Sequence, residues 1–288
     1  MNRNKLIIEE IRDLAKKAFR EEKIELFIGY EALSDNSLKP AVITDEDKIN
    51  KLSWNQTALF NISALLRKYR DKKVGIIANG CIGRSIVVLI NEGQIKRENL
   101  TIIAIPCQGM ANLSSEEFFE NCLSCKHPTP PVYDYITSSE PLKVEGDPLG
   151  DRVKKIEALS SSEKLTYFKE QMDKCIRCYA CRQACPMCYC ETCFVDVNSP
   201  KWLSKEISKE DNTVWNVTRV FHLAGRCVEC GACQKACPEG LDLMYLIGKM
   251  NRDLRRLFGF EAGLKIGAKG SFETFNPNDP DFFWTGEV

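Results

Sequence analysis

Two segments of this chain repeat one arrangement of cysteines. Residues 175–186 read CIRCYACRQACP, and residues 227–238 read CVECGACQKACP. Both are C-x2-C-x2-C-x3-C-P, the spacing with which ferredoxin-type loops hold 4Fe-4S clusters. In two-cluster ferredoxins the fourth cysteine of each run reaches the other run's cluster. On that rule Cys175, Cys178, Cys181 and Cys237 are expected to hold one cluster, and Cys227, Cys230, Cys233 and Cys185 a second. Closely spaced thiolates wrap one cubane, and the proline turns the chain away after the fourth. Structural zinc is the competing reading, but its usual signature is two C-x2-C pairs. It leaves the repeated third and fourth cysteines without a role.

Four more cysteines lie in the first half of the chain. Cys81 follows the apolar run KVGIIANG, and Cys107 follows LTIIAIP. If those runs are neighbouring parallel strands, their carboxyl ends share one edge of a sheet, the edge where α/β sheets bind ligands. Cys122 and Cys125 add a C-x2-C pair after SSEEFFEN, which is read as a short helix. Together these four thiolates have the ligand count of a third 4Fe-4S cluster. The bland alternative is that Cys81 and Cys107 are small buried apolar side chains.

Three cysteines remain. Cys188, Cys190 and Cys193 follow the first run in CPMCYCETC. They form a candidate extra metal site, with a fourth donor from His222, another cysteine or a partner, or they are unliganded thiols. The spacing C-x3-C-x2-C of Cys181, Cys185 and Cys188 occurs in radical-SAM enzymes. Here it overlaps a ferredoxin run and follows no barrel strand, so it carries no weight. Gly80–Ser85 open a helix after a strand, which makes Arg84 and Ser85 candidates for a flavin or nucleotide phosphate. The segment is not G-x-G-x-x-G, and a tight turn delivering Cys81 explains it as well. His127 and His222 are the two histidines and read first as packing or surface residues. Lys126, Lys174, Arg177, Arg182 and Arg226 flank the cysteines. Positive charge there raises a cluster's reduction potential and favours an acidic partner.

The elements that must position these groups follow from apolar periodicity. Residues 4–20 place Leu6, Ile7, Ile11, Leu14, Ala15 and Ala18 on one helical face. A strand is expected at 24–30, a helix at 53–69 capped by Ser53, a buried strand at 73–79, a helix at 83–93 closed by Gly93, and a buried strand at 100–106. Continuous apolar strands separated by a helix predict a parallel, right-handed βαβ unit. Residues 128–150 are rich in Pro and Gly and read as a linker. Helices are expected at 153–172, within 201–224 and at 242–258, with an irregular tail from Gly270. The fold class is thus an α/β domain over 1–127 joined to a mainly α-helical dicluster domain over 151–288.

The 288 residues carry 40 Lys+Arg against 40 Asp+Glu. That balance gives no electrostatic reason for nucleic acid or an anionic membrane as partner. Fifteen cysteines, most in cluster spacing, argue for a reducing, cytoplasmic setting. No segment has the roughly 20 apolar residues of a membrane-spanning helix.

GIIANGCIGRS, AIPCQGM and NCLSCKHPTPPVYD resemble the coenzyme F-420 hydrogenase/dehydrogenase beta-subunit family, whose members are iron–sulfur flavoproteins. HLAGRCVECGACQKACP is similar to the helical dicluster ferredoxin domains of heterodisulfide-reductase-like and succinate-dehydrogenase-like subunits. The resemblances imply an iron–sulfur electron-transfer subunit of a multisubunit anaerobic oxidoreductase, such as a hydrogenase, formate dehydrogenase or heterodisulfide-reductase-like complex. Its partners would be a catalytic subunit and a flavin- or disulfide-reducing subunit. The alternative is an iron–sulfur flavoprotein that itself reduces a deazaflavin, nicotinamide or quinone-like acceptor. A full-length flavin domain is not visible in the sequence.

Overall fold

The computed structural model describes residues 3–271 and 273. Its first half is a five-stranded sheet in the order β2-β1-β3-β4-β5. β1 (Leu26–Ala32), β3 (Val74–Ala78), β4 (Leu100–Ala104) and β5 (Tyr135–Ile136) run parallel, and β2 (Leu38–Ile43) pairs antiparallel with β1 at the edge. β3 and β4, VGIIA and LTIIA, are buried along their whole length. Continuous apolar strands of this kind are stable only with both faces covered. α1 (Arg3–Arg20) lays Ile7, Ile11, Ala15 and Ala18 onto the sheet, each at most 1% exposed.

α2 (Gly80–Asn91) connects β3 to β4 and starts earlier than residue 83, because the Asn79 side chain caps it by accepting from the Ile82 N–H at 3.1 Å. The expected helix at 53–69 is shorter. A 3-10 helix runs only from Ile62 to Tyr69. The side chains of Asn55 and Asn61 take the backbone N–H groups of Thr57 and Ser63, and the Ser53 N–H bonds to the Tyr30 carbonyl. Such side-chain capture delays helix formation. β2 is absent from the sequence reading, since Pro40 within LKPAVI argues against a strand. As an edge strand it tolerates the proline.

Residues 128–150, expected as a linker, are stitched to the sheet. The Pro128 carbonyl accepts from the Gly80 and Cys107 N–H groups, and the Leu142 N–H bonds to the Cys107 carbonyl. Asp134 accepts from the Ile102 N–H at 2.7 Å. Gly80 is required here: a Cβ on it would lie 1.8 Å from the His127 carbonyl oxygen.

The second half is helical. The helix expected at 153–172 is two, α4 (Pro148–Glu157) and α5 (Ser161–Asp173), because Ser160 and Glu163 form a capping box that starts a new helix. α7 (Lys209–Leu223) packs on α5, and α9 (Leu243–Phe258) packs on α4 and ends at Gly259 in the left-handed conformation. No helix among the described residues is long and apolar enough to cross a membrane. Nearly all of the tail expected to be irregular, from Gly270 on, lies outside the described residues.

Candidate metal centres

The two cysteine runs fold alike. Arg177 and Tyr179 in the first have φ of 48° and 59°, and Glu229 and Gly231 in the second have 57° and 69°. After each comes one helical turn, α6 (Ala180–Gln183) and α8 (Ala232–Lys235). Left-handed residues on either side of Cys178 and of Cys230 bend the chain around a point, so cysteines spaced by two residues face inward together. Tyr179 meets this demand with a side chain, and its ring packs edge-on to Trp215 at 5.0 Å.

The structure brings the thiols together in crossed sets. Cys175, Cys178 and Cys181 line one small cavity with Cys237 of the second run. Cys185 of the first run lies beside the half-buried Cys227 and Cys230 and the buried Cys233. Helix side chains hold the loops by their carbonyls. Asn212 donates to Cys175 at 2.7 Å, and Asn251 donates to Cys227 at 3.1 Å. The Glu229 N–H points at the Cys227 sulfur at 3.4 Å.

At the carboxyl edge of the sheet, Cys81 lies in the first turn of α2 and Cys107 just past β4. Asn79 sits between them, accepting from Cys81 Sγ at 3.1 Å and directing its amide at Cys107 Sγ, 3.8 Å away. The helix expected over SSEEFFEN forms only at α3 (Glu120–Leu123), and it carries Cys122. The preceding residues turn back so that Ala111 pairs with Phe118. Cys125 follows α3. Cys81, Cys107, Cys122 and Cys125 line one cavity of about 250 Å3, which Lys235 and Cys230 also line. Burial, then the neighbouring thiols Cys122 and Cys125, push the Cys107 thiol up to about 12, and burial pushes Cys81 up as well. An iron core held by these cysteines would supply the positive charge that buried thiolates need.

The four-thiol sets fit 4Fe-4S clusters by donor type, count and enclosure. No three Cys, His, Asp or Glu side chains among the described residues converge at the spacing of a single metal ion. The sheet-edge thiols and those of Cys175, Cys178, Cys181 and Cys237 line cavities, which suits a multi-atom group.

The candidates for a phosphate are used inside the fold. The Arg84 guanidinium donates to the Ala262 carbonyl at 2.7 Å and pairs with Glu261 at 3.1 Å. The Ser85 hydroxyl donates to the Cys81 carbonyl and accepts from Asn61, both at 2.9 Å. Both side chains therefore brace α2. The His127 Nε2 lies 3.2 Å from the Glu261 carboxylate and, with Arg84 and Arg255, holds that carboxyl down to about 2.

Cys188, Cys190 and Cys193 line a further cavity together with His222. Between the first two, Tyr189 is clamped. Its hydroxyl bonds Glu92 at the end of α2, and its ring lies between Arg67 at 4.7 Å and Arg226 at 4.8 Å. Arg226 also binds Glu92 through two nitrogens. Arg219 escaped the sequence reading. It is 2% exposed, and the thiols of Cys233, Cys185, Cys188 and Cys181 surround it. Its signal was present, since Trp215, Arg219 and Leu223 fall at i, i+4 and i+8 on the buried stripe of α7.

Residues 171–241 match the model of the 4Fe-4S dicluster domain. The chain is also similar to the F420-dependent formate dehydrogenase subunit beta of Methanocaldococcus jannaschii, 29% identical over 100 residues, which are 35% of this chain and 26% of the relative. The alignment therefore spans about a quarter of that protein. An α/β sheet domain joined to a helical 4Fe-4S dicluster region is the architecture of the chain.

Proposed function

We propose that the chain is an electron-transfer subunit that relays electrons through three 4Fe-4S clusters. The thiols of Cys175, Cys178, Cys181 and Cys237 hold the outer cluster, and Cys227, Cys230, Cys233 and Cys185 the middle one. Cys81, Cys107, Cys122 and Cys125 hold the cluster at the sheet edge. The observation that carries this reading is that Cys230, a ligand of the middle set, lines the sheet-edge cavity. A relay needs its centres close together, and a shared wall provides that. At the other end Cys178 and Ile176 are exposed, so the outer cluster is the one that meets a partner.

Bound clusters supply one-electron chemistry; the protein sets spacing and potential. Lys235, whose ammonium bonds the Cys230 carbonyl at 3.2 Å and lines the sheet-edge cavity, serves both neighbouring centres. By similarity to the formate dehydrogenase beta subunit, the chain works in a multisubunit oxidoreductase of anaerobic metabolism in the cytoplasm. Formate dehydrogenase, hydrogenase or heterodisulfide-reductase-like subunits are its partners. The test is strictly anaerobic purification with copurifying proteins identified, and with iron, sulfide and flavin measured. At least about twelve iron per chain are expected. Eight or fewer would remove the sheet-edge cluster, and a stoichiometric flavin would replace the relay by a flavoenzyme.

A further inference from the structure

The loop after the first run carries three thiols that none of the three sets uses. Cys188, Cys190 and Cys193 line one cavity of about 270 Å3 with His222, Arg182 and Arg219. Several contacts hold this loop in place. Tyr189 is pinned through Glu92, and Arg67 donates to the Tyr189 carbonyl at 2.6 Å, which fixes the backbone between Cys188 and Cys190. Next to Cys193, the Phe194 ring packs on Trp215 at 5.9 Å and on His222 at 5.8 Å.

Two guanidinium groups address the thiols. The Arg182 guanidinium faces Cys193 and pairs with Asp196 at 2.8 Å. Arg219 is the more telling one. It is 2% exposed, its Nε has no partner, and no carboxylate among the described residues pairs with it. Its bond to the Cys181 carbonyl, 3.0 Å, leaves the charge uncompensated. A buried cation requires a negative group beside it. The ferredoxin-type sets answer part of that need, yet Arg219 also faces Cys188, which belongs to neither.

We infer that Cys188, Cys190 and Cys193 hold a further iron–sulfur cluster in this cavity, with His222 as the fourth donor and Arg219 and Arg182 as counter-charges. The Cys188 thiol lies beside that of Cys185, so this centre branches from the middle of the relay. The inference rests on the relay reading for that role, but its ligands are separate from the other three sets.

Cys190 is exposed, which makes it a direct reporter. Anaerobic protein with its full iron is treated with iodoacetamide and mapped by mass spectrometry. Cys190 and Cys193 are expected to stay unmodified, and to react once iron is stripped. Alkylation of Cys190 in protein that retains all its iron overturns the inference. In addition, the double variant Cys190→Ser, Cys193→Ser should lose about four iron per chain while the signals of the other sets remain. Unchanged iron in a folded double variant also overturns it. If that variant fails to fold, labelling of the unaltered protein decides. Failure of the sheet-edge cluster would show instead as loss of protection at Cys81 and Cys107, so the two readings fail separately.

Discussion

Cys230 and Cys81 line one cavity, although one belongs to the second ferredoxin-type run and the other to the first turn of the helix after β3. The α/β domain and the dicluster region therefore meet at the cysteines proposed as cluster ligands, and a change on one side should be felt on the other.

Cys81→Ser and Cys107→Ser should each abolish the same low-temperature EPR signal of the reduced protein. Because Cys230 shares their cavity, the middle cluster's signal should shift in both variants while the outer cluster's stays put. Two different defects from the two variants, or none, would break the link between the strand ends.

Cys237→Ser tests the crossed ligation. The altered residue sits in the second run, yet the signal lost should be that of the first, with about four iron gone per chain. Cys185→Ser should do the converse. Loss of the second run's own cluster on changing Cys237 would mean that each run is self-contained.

Arg219→Met removes a buried positive charge from among the thiols of both runs. An anionic cluster then loses a stabilising neighbour, and its reduced form, which is more negative, loses most. The midpoints of both ferredoxin-type signals should fall, by on the order of 60 mV for a tenfold change in a one-electron equilibrium. Potentiometric titration followed by EPR gives the answer, and unchanged midpoints would show that Arg219 only fills space.

Glu92→Gln weakens the clamp on Arg226 and Tyr189. The bonds are charge-assisted and partly buried, so the loss should be about 1–3 kcal/mol. Anaerobic urea unfolding followed by circular dichroism should show an earlier midpoint, with the sheet-edge signal intact. An unchanged midpoint would mean that other contacts join the two halves.

That Cys175, Cys178 and Cys181 share a cavity with Cys237, and that Cys81 and Cys107 share another, was legible from short repeated spacings in the first case and from the common direction of parallel strands in the second. β3, β4, α2 and α9 followed from apolar periodicity. The docking of residues 128–150 on the sheet was not legible. Gly80, Pro128 and Leu142 secure it by backbone hydrogen bonds, which leave no pattern in side-chain type, so residues 128–150 looked like a tether. The late start of the helix before Tyr69 was hidden for a related reason: Asn55 and Asn61 capture neighbouring amides, and apolar spacing does not register that. Arg219 was overlooked because a cation on a buried stripe looks like an interruption until the thiols around it are in view.

α2 has Cys81 in its first turn and Glu92 at its far end, where Glu92 grips the loop that follows the first cysteine run. Twelve residues of helix make a strut of about 18 Å, running from the sheet-edge cysteines to the loop after the first run. Electron tunnelling falls off exponentially with distance, so slack of an ångström or two between centres would scatter the transfer rate widely. A strut of this kind works as a fixed gauge length. For the proposed relay, that would make the transfer rate a property of the folded chain rather than of the partner bound.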